Sequence, residues 1–454
     1  METKNPLKEP IVVPRSDHAI SRANISPNAL KVLYRLRASG FRACLVGGGV
    51  RDLLLGREPK DFDIGTDAHP EDIKGLFRNC RLIGRRFRLA HIQFGREIIE
   101  VATFRAGGPV DEPPEPVDED LEGAGNEFAE DEESGDFDEV GPIRNDNVYG
   151  TIEEDAWRRD FTINALYYDI EDFSVLDYAD GMTDLKAGLI RLIGIPEQRY
   201  REDPVRMLRA VRFAAKLGFR IHPDTEAPIH RLAHLLEDVP AARLFDEVLK
   251  LLQAGFAVQT FELLRLYGLF GQLFPLTESC LRRQSQGFPR TLVIRALANT
   301  DRRIAANKPV TPAFLYAALL WEPMQERMRY MQSHGMDEQQ AMAAAAEQVI
   351  QSQVDHTALP KRFSIPMREI WELQSRFTQQ SGKRVERFLS HPRFRAAYDF
   401  LLLRAEAGEE VQELADWWTQ IQEEMPAIPS PPAQDAERRP RTRPRRRRRS
   451  GNAG

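Results

Sequence analysis

A glycine cluster between a short apolar run and a pair of aspartates constrains this chain more than any other stretch. Residues 43–46 (Ala-Cys-Leu-Val) predict a buried strand, and three glycines at 47–49 follow it directly. Glycine has no Cβ, so a phosphate can approach the backbone closely there, and the N–H groups of such a turn point at an anion. Residues 50–55 then predict a short helix that ends at Gly56. The pattern indicates a strand, a phosphate-binding turn and a helix, in that order.

Two aspartates, Asp61 and Asp63, follow this helix. Residues two apart on a strand share one face, so the pattern predicts two carboxylates side by side. Adjacent carboxylates repel each other unless a cation lies between them, and Mg²⁺ takes carboxylate oxygens while it keeps coordination positions for phosphate. A lone glycine cluster is typical of any tight turn, and a lone Asp-x-Asp is typical of an exposed strand end. Together they favour nucleotidyl transfer assisted by two metal ions, one for the attacking hydroxyl and one for the triphosphate.

The combined pattern, Gly-Gly-Gly-Val-Arg-Asp-x-Leu-Leu-Gly followed by Asp61-x-Asp63, resembles the signature of the class II nucleotidyltransferases. That superfamily contains the bacterial poly(A) polymerases and the tRNA CCA-adding enzymes. The resemblance implies an α+β fold, with an N-terminal polymerase β-like head of mixed sheet and helices, then an all-α neck and body and a disordered tail. It also implies two Mg²⁺ ions on Asp61 and Asp63, and ATP as substrate with its triphosphate held by Gly47, Gly48 and Arg51.

The segment 82–92 (Leu-Ile-Gly-Arg-Arg-Phe-Arg-Leu-Ala-His-Ile) combines three arginines, a histidine and an aromatic residue. This composition suits contact with phosphates or bases, which makes Arg85, Arg86 and Arg88 candidates for RNA binding. A surface turn with solvated arginines would have the same composition. Within the superfamily, the segment resembles the one that distinguishes bacterial poly(A) polymerases from CCA-adding enzymes.

Two further acids are candidates for the active site. Glu100 lies in a β-branched strand predicted over 98–104, where it would point away from its apolar neighbours. A third carboxylate is common in polymerase β-like sites, so Glu100 is a candidate metal ligand, while an edge-strand charge is an equally good explanation. Arg-Arg-Asp at 158–160 resembles the family motif that holds the incoming nucleotide. That likeness implies that Asp160 contacts the ribose or supports the metal centre, and an acid near a helix N-terminus is the alternative.

A later helix is predicted to start with Asp203 at its N-cap and Pro204 at its first position. Arg206, Arg209 and Arg212 then recur every three residues on one face, as in a solvated basic stripe. The resemblance implies a sharper role, because the Glu-Asp-x-x-Arg in this stretch resembles the family's template for the incoming base. Asp203 and Arg206 would then hydrogen-bond the base, and Arg209 would help to place the ribose and adenine.

The distribution of charge matters more than its sum. The formal net charge is −6, but residues 111–139 carry fifteen acids and no Lys or Arg, and residues 438–449 carry nine arginines and no acid. The rest of the chain is neutral, so the overall acidity does not argue against an RNA partner. The tail, with Arg445, Arg446 and Arg447, is predicted to be a disordered arm for nucleic acid, although a charge run is often only a solubilising end.

These patterns divide the chain into five predicted parts. They are a flexible leader (1–24), a catalytic head (25–195) with a disordered acidic insertion (107–146), a helical neck with nucleotide-reading and RNA-binding elements (196–275), a helical body (276–425) and a disordered Arg-rich tail (426–454). Within the head, hydrophobic spacing predicts helices over 28–39 and 70–77, strands over 166–170 and 175–177 that form a hairpin, and a last strand over 189–193.

The chain has no apolar run long enough to span a membrane, no apolar signal core, and three cysteines without Cys-x-x-Cys spacing, which indicates a cytoplasmic protein. The resemblance implies a bacterial-type poly(A) polymerase that adds AMP from ATP to RNA 3′ ends without a template, in RNA processing and turnover. RNA-decay proteins are candidate partners. Addition of CCA to tRNA by the same site is one alternative. A non-catalytic RNA-binding protein on this scaffold is another, against which the two intact aspartates and the glycine turn argue.

Overall fold

The computed structural model describes residues 9–84, 88–106, 148–283 and 290–424. Eight of the strands in this part of the chain form one mixed sheet, and two short strands form a parallel pair. The strands are β1 (Ile11–Val13), β2 (Ala43–Val46), β3 (Asp63–Thr66), β4 (Cys80–Ile83), β5 (Leu89–Phe94), β6 (Glu97–Thr103), β7 (Leu166–Asp169), β8 (Val175–Asp177), β9 (Leu189–Ile190) and β10 (Arg220–Ile221).

The helices fall into three consecutive groups. Those of the head are α1 (Pro27–Ala38), α2 (Gly48–Leu54), α3 (Pro70–Leu76), α4 (Ile152–Arg158) and α5 (Gly181–Ala187). Those of the neck are α6 (Pro196–Glu202), α7 (Val205–Leu217), α8 (Pro223–Glu226), α9 (Ile229–Leu232), α10 (Ala241–Leu252), α11 (Ala257–Leu266) and α12 (Leu269–Leu273). Those of the body are α13 (Pro275–Arg282), α14 (Arg290–Ala305), α15 (Pro312–Leu319), α16 (Trp321–Ser333), α17 (Glu338–Val354), α18 (Lys361–Glu372), α19 (Lys383–Leu389), α20 (Phe394–Glu406) and α21 (Gln412–Glu424).

The large sheet has the strand order β1-β8-β7-β2-β3-β6-β5-β4. Only the β3–β6 pair in it is parallel, and the other neighbouring strands of this described sheet run antiparallel. One face packs against α1 and α3 through residues such as Leu45, Ile64 and Val101. On the other face, α4 covers β2 and β7 through a smaller cluster that includes Val46 and Tyr167. The remaining part of that second face, over β3, β6, β5 and β4, carries the polar side chains of the candidate site.

The α+β prediction for the head, with an all-α remainder, is confirmed by these elements. The main core is continuous from the sheet through the neck into the body, so the neck is packed firmly against the head. The rings of Phe161 in the head and Phe213 on α7 meet edge to face with centroids 5.6 Å apart. Residues 373–421 of the body have a separate aromatic core, in which Phe377 and Trp418 lie 5.4 Å apart. In the described ranges no helix combines the length and apolar character needed to cross a bilayer.

Most local predictions agree with the structure. The strand over 43–46 is β2, α1 ends before Gly40 with its φ of +89°, and β7 and β8 form the predicted hairpin. The last strand of the head differs from its prediction, because only Leu189–Ile190 is a strand, and it pairs with β10 outside the large sheet. The acidic insertion and the Arg-rich tail lie outside the described residues.

The first described residues also differ from the predicted loose leader. β1 pairs antiparallel with β8 at the edge of the sheet, and Ile20 is fully buried. The His18 ring hydrogen-bonds the carbonyl oxygen of Phe173 at 2.9 Å. A polar, proline-containing segment does not signal this packing, because the partner of β1 lies more than 160 residues away in the sequence.

Candidate active site

The glycine turn joins β2 to α2 in a conformation that requires glycine. Gly47 has φ +70° and ψ −137°, a combination that residues with a Cβ rarely adopt. Helix α2 begins at Gly48, two residues earlier than predicted. A Cβ on Gly49 would lie 3.2 Å from the carbonyl oxygen of Asp61. The absence of a side chain at Gly49 therefore allows α2 to lie against the aspartate segment.

The two aspartates lie where the chain enters β3. Asp63 is the first residue of the strand, whereas Asp61 precedes it, so the pair does not share a strand as predicted. Both residues are exposed, and Phe62 between them packs against the main core. Because the Phe62 side chain packs against the core, the side chains of its two neighbours point toward solvent. The strand begins late because its pairing with β2 begins at Asp63, opposite Val46.

Glu100 lies directly beside Asp63. The parallel pairing of β3 and β6 matches Asp63 with Glu100, and cross-strand partners have their side chains on the same face. Glu100 in turn pairs with His91 on β5, and its Oε2 lies 3.4 Å from His91 Nε2. The prediction that Glu100 points away from Ile99 and Val101 agrees with the burial of those two residues.

The donor set fits a hard divalent cation. Asp61, Asp63 and Glu100 offer carboxylate oxygens, which Mg²⁺ prefers. In the described ranges, no three His, Cys, Asp or Glu side chains are gathered as a ready metal cluster, so the structure brings Glu100 beside Asp63 without closing a cage. An open set of two or three carboxylates leaves coordination positions for phosphate oxygens and water, as a catalytic Mg²⁺ site needs.

Asp160 lies in a buried network between head and neck, and only 3% of it is exposed. Its carboxylate accepts hydrogen bonds from the Phe161 N–H at 2.7 Å, from Asn164 Nδ2 at 3.2 Å and from Arg209 Nε at 2.8 Å. Burial opposes ionisation of Asp160, but the charge of Arg209 and these hydrogen bonds hold its pKa below the ordinary range. The carboxylate is therefore a fixed negative charge that joins α7 to the head.

Arg51 connects the glycine turn to the same network. Its guanidinium donates to Asn164 Oδ1 at 2.6 Å and to Asp52 Oδ1 at 2.8 Å, and the residue is only 2% exposed. A Cβ on Gly48 would lie 3.4 Å from Arg51 Nη2. The guanidinium of Arg51 thus lies against the glycine turn and supports it. Asn164 links Arg51 to Asp160 by hydrogen bonds.

The predicted base-reading residues are also buried. Asp203 is the C-cap of α6, and its Oδ1 accepts the Val205 N–H at 3.2 Å, so α7 starts one residue later than predicted. Its Oδ2 accepts a hydrogen bond from Arg243 Nη2 at 2.8 Å. Arg206 is 0% exposed, which excludes a solvated stripe at this position, and its Nη1 donates to the carbonyl oxygen of Arg199 at 2.8 Å. Within the described ranges, Nε and Nη2 of Arg206 have no hydrogen-bond partner.

Models of known protein families match three parts of this chain. The poly A polymerase head domain matches residues 43–191, the arginine-rich C-terminus of polymerase A matches 334–452, and the "probable RNA and SrmB-binding site of polymerase A" matches 218–281. The chain is 51% identical to poly(A) polymerase I of Escherichia coli O6:H1 over 445 residues, which are 96% of this chain and 91% of that protein.

The chain belongs to the poly(A) polymerase family.

Part of the chain is also similar in sequence to the CCA-adding enzymes. The CCA-adding enzyme of Streptococcus suis is 36% identical over 228 residues, which are 50% of each chain. A crystal structure of the Bacillus stearothermophilus CCA-adding enzyme in complex with CTP has a TM-score of 0.55 at 24% identity, covering 89% of this chain and 84% of that one. The structural likeness shows the shared fold.

Of the arginines predicted to bind RNA in this poly(A) polymerase family member, the structure describes only Arg88. Arg88 is half exposed, and its Nη1 lies 2.7 Å from Glu71 Oε1, so this arginine is paired within the head. Arg85 and Arg86 in the same segment, and Arg445, Arg446 and Arg447 in the tail, lie outside the described residues.

Four residues that contribute to the site were not singled out by sequence reasoning. Asn164 bridges Arg51 and Asp160, and Arg243 holds Asp203. His91 lies against Glu100, and its place in the 82–92 segment was the available signal. Arg105 interacts electrostatically with Glu100, and burial together with the neighbouring charge of Arg158 lowers the pKa of Arg105 to about 10. No local pattern marks the pairs Arg51–Asn164 and Asp203–Arg243, because the partners lie 113 and 40 residues apart in the sequence.

The Asp160–Arg209 pair predicts a pH-dependent stability. The pKa of Asp160 is lower in the folded protein than its ordinary 3.8, so its ionised form stabilises the fold above about pH 4, and this contribution is lost as the pH falls through the folded pKa. Asp160→Asn is expected to lower the free energy of unfolding by about 3 kcal/mol at pH 7, and by progressively less below pH 4. Urea unfolding over a pH series measures this, with the exposed Asp224→Asn as control. A difference that is independent of pH would contradict the assignment.

Proposed function

We propose that this protein adds AMP from ATP to the 3′ ends of RNA without a template and releases pyrophosphate, with Mg²⁺ ions held by Asp61, Asp63 and Glu100. The observation that carries the proposal is the position of the two exposed aspartates, because Asp61 lies beside the glycine turn and Asp63 is in register with Glu100. The 51% identity to a poly(A) polymerase I over 96% of this chain supports poly(A) addition over CCA addition, because the sequence likeness to the CCA-adding enzyme of Streptococcus suis covers only 50% of the chain. We place the activity in the cytoplasm, where RNA and ATP are available.

Different groups of the site would serve different parts of nucleotidyl transfer. When bound, the metal ions would favour ionisation of the RNA 3′ hydroxyl and neutralise charge on the triphosphate. The N–H groups of the turn at Gly47 and Gly48 would hold phosphate oxygens, and Arg51 fixes the turn from behind. Glu100 is supported as the third carboxylate because it neighbours Asp63, whereas Asp160 is buried against Arg209 and would position α7 beneath the nucleotide.

Asp203 and Arg206 would read the base by its Watson–Crick edge. A carboxylate accepts from an exocyclic amino group, and a guanidinium donates to the adjacent ring nitrogen. Adenine and cytosine both offer this combination, whereas guanine and uracil offer the reverse, so the pair selects ATP and CTP over GTP and UTP. Nε and Nη2 of Arg206, which have no hydrogen-bond partner among the described residues, suit such a contact. The choice of ATP over CTP then depends on how Arg199 and Arg243 hold the pair and on the size of the pocket.

RNA binding is assigned to the neck and to the basic segments. Residues 218–281 match the "probable RNA and SrmB-binding site of polymerase A", which supports a path for RNA over the neck. The arginines of the 82–92 segment and of the tail would add contacts with phosphates that do not depend on sequence. Proteins of RNA decay remain candidate partners for the same surfaces.

The decisive experiment supplies a labelled generic RNA and each nucleoside triphosphate separately, with Mg²⁺. The expected result is a long tail with ATP and little extension with the other three nucleotides. Addition restricted to CCA on tRNA that lacks this end, with a requirement for CTP, would contradict poly(A) synthesis and support the alternative. RNA binding without extension of any substrate would support the non-catalytic alternative.

A further inference from the structure

A row of polar residues crosses four neighbouring strands on the second face of the sheet. Register pairs Asp63 with Glu100, Glu100 with His91, and His91 with Arg81, from β3 through β6 and β5 to the edge strand β4. Directly opposed residues share a face, so the four side chains stand in one line. The buried residues of these strands, such as Ile64 and Ile92, lie on the opposite face, toward the main core.

The far end of this row opens into a cleft. It has a volume of about 500 Å³ and is lined by Arg78, Asn79, Cys80, Arg81, Gln93 and Gly95. Arg78 and Arg81 are exposed. Across the ranges that the structure describes, no carboxylate forms an ion pair with either of them, whereas nearby Arg88 is paired with Glu71. Within the described residues, the cleft therefore presents two positive charges without an ion-pair partner, with polar groups from Asn79 and Gln93 beside them.

The strand order determines whether the nucleotide or the RNA lies on the same side of β3 as this cleft. The glycine turn follows β2, on one side of β3, and the row runs away from it on the other side of β3. In an in-line displacement, the attacking oxygen and the leaving pyrophosphate lie on opposite sides of the reacting phosphorus. A triphosphate seated at Gly47 and Gly48 therefore leaves the β6-β5-β4 side of Asp63 to the RNA 3′ end.

We propose that this face is a subsite for the RNA strand and that Arg81, with Arg78, binds a backbone phosphate upstream of the 3′ end. The inference rests on the proposed function, because it takes Asp61 and Asp63 as the point of chemistry. Neighbouring strands lie about 4.8 Å apart, so three steps separate Asp63 from Arg81 by roughly 14 Å. A stacked strand advances about 3.4 Å per nucleotide and an extended one advances more, which places the contact at roughly the second to fourth phosphate from the 3′ end.

The test combines protein variants with modified RNA. Arg81→Gln, Arg78→Gln and the double variant are compared with Arg37→Gln, which removes an exposed charge on α1, against the opposite face of the sheet. Each is assayed with oligonucleotides that carry one neutral methylphosphonate at a single linkage, from the first to the sixth from the 3′ end. Fluorescence anisotropy without ATP measures RNA affinity, and steady-state kinetics measure KM for RNA and kcat.

The double variant is expected to weaken RNA binding and raise KM for RNA by about tenfold, the effect of removing a charge-assisted hydrogen bond, with kcat little changed. The slope of log affinity against log salt should become shallower by about 0.7 for each phosphate that the protein no longer neutralises. A methylphosphonate at one linkage between the second and the fourth should abolish the difference between wild type and variant, and one at the sixth should not. Arg81→Lys, which keeps the charge, should retain most of the affinity.

Two results would overturn the proposal. One is a double variant that binds RNA as Arg37→Gln does. The other is a loss of affinity that is equal at every linkage, which would indicate a general electrostatic effect. Thermal unfolding of each variant shows whether the fold is kept. If the glutamine variants unfold, the methylphosphonate series with the wild-type protein serves as the test, because a neutral linkage between the second and the fourth should weaken binding more than one at the sixth. Failure of the proposed function is seen separately, as the lack of extension by the wild-type protein with ATP.

Discussion

Replacing Asp61 or Asp63 by asparagine is expected to lower kcat for AMP transfer by at least about 1,000-fold, because a metal ligand stabilises transition-state charge by several kcal/mol. Asparagine keeps the size of the side chain but removes its negative charge. Both aspartates are exposed, and Phe62 between them supplies the packing, so the thermal midpoint should change little. The rate is measured at saturating ATP and RNA, together with Mn²⁺ affinity by titration calorimetry.

The matched control is Asp67→Asn. Asp67 is also exposed, just beyond the other end of β3, and its carboxylate accepts the backbone N–H of Arg42 at 2.8 Å. This variant is expected to retain near-normal turnover and Mn²⁺ affinity. A double Asp61→Asn/Asp63→Asn variant that transfers AMP at close to the normal rate would contradict the hypothesis that these aspartates hold the catalytic metal ions.

Replacing Asp203 or Arg206 by alanine is expected to reduce the ratio of kcat/KM for ATP to that for GTP by at least about 100-fold. A site built to hydrogen-bond one substrate rejects another that leaves its buried polar groups unpaired, and this rejection disappears with those groups. The measurement is kcat/KM for each of the four nucleotides on one RNA, with RNA affinity determined in parallel. RNA affinity should fall less than nucleotide discrimination.

Arg201→Ala is the control, because Arg201 lies on α6 in the same stretch but is exposed and pairs with Glu197. Since Arg206 is fully buried, Arg206→Met is included to keep the apolar stem and limit the cavity. An unchanged nucleotide ratio accompanied by weaker RNA binding would assign Asp203 and Arg206 to the RNA path instead.

The parts of the site that follow from neighbouring residues were predictable. The glycine turn at 47–49, the strand before it and the helix after it depend on residues within one short stretch. The outward direction of Glu100 follows from strand alternation alone. Even here, the start of α2 and the late start of β3 were missed, because these boundaries depend on packing against other elements.

The sequence by itself determined the glycine turn, the aspartate pair, the order of head and helical body, and the opposed charge segments, since each is a local pattern or a matter of composition. Only the tertiary structure decided which charges meet. It paired Asp63 with Glu100 across the sheet, Asp160 with Arg209, and Asp203 with Arg243, and it buried Arg206 that spacing alone would leave in solvent. The physical reason is that strand register and helix packing join residues tens of positions apart, and no short stretch encodes the identity of its distant partner.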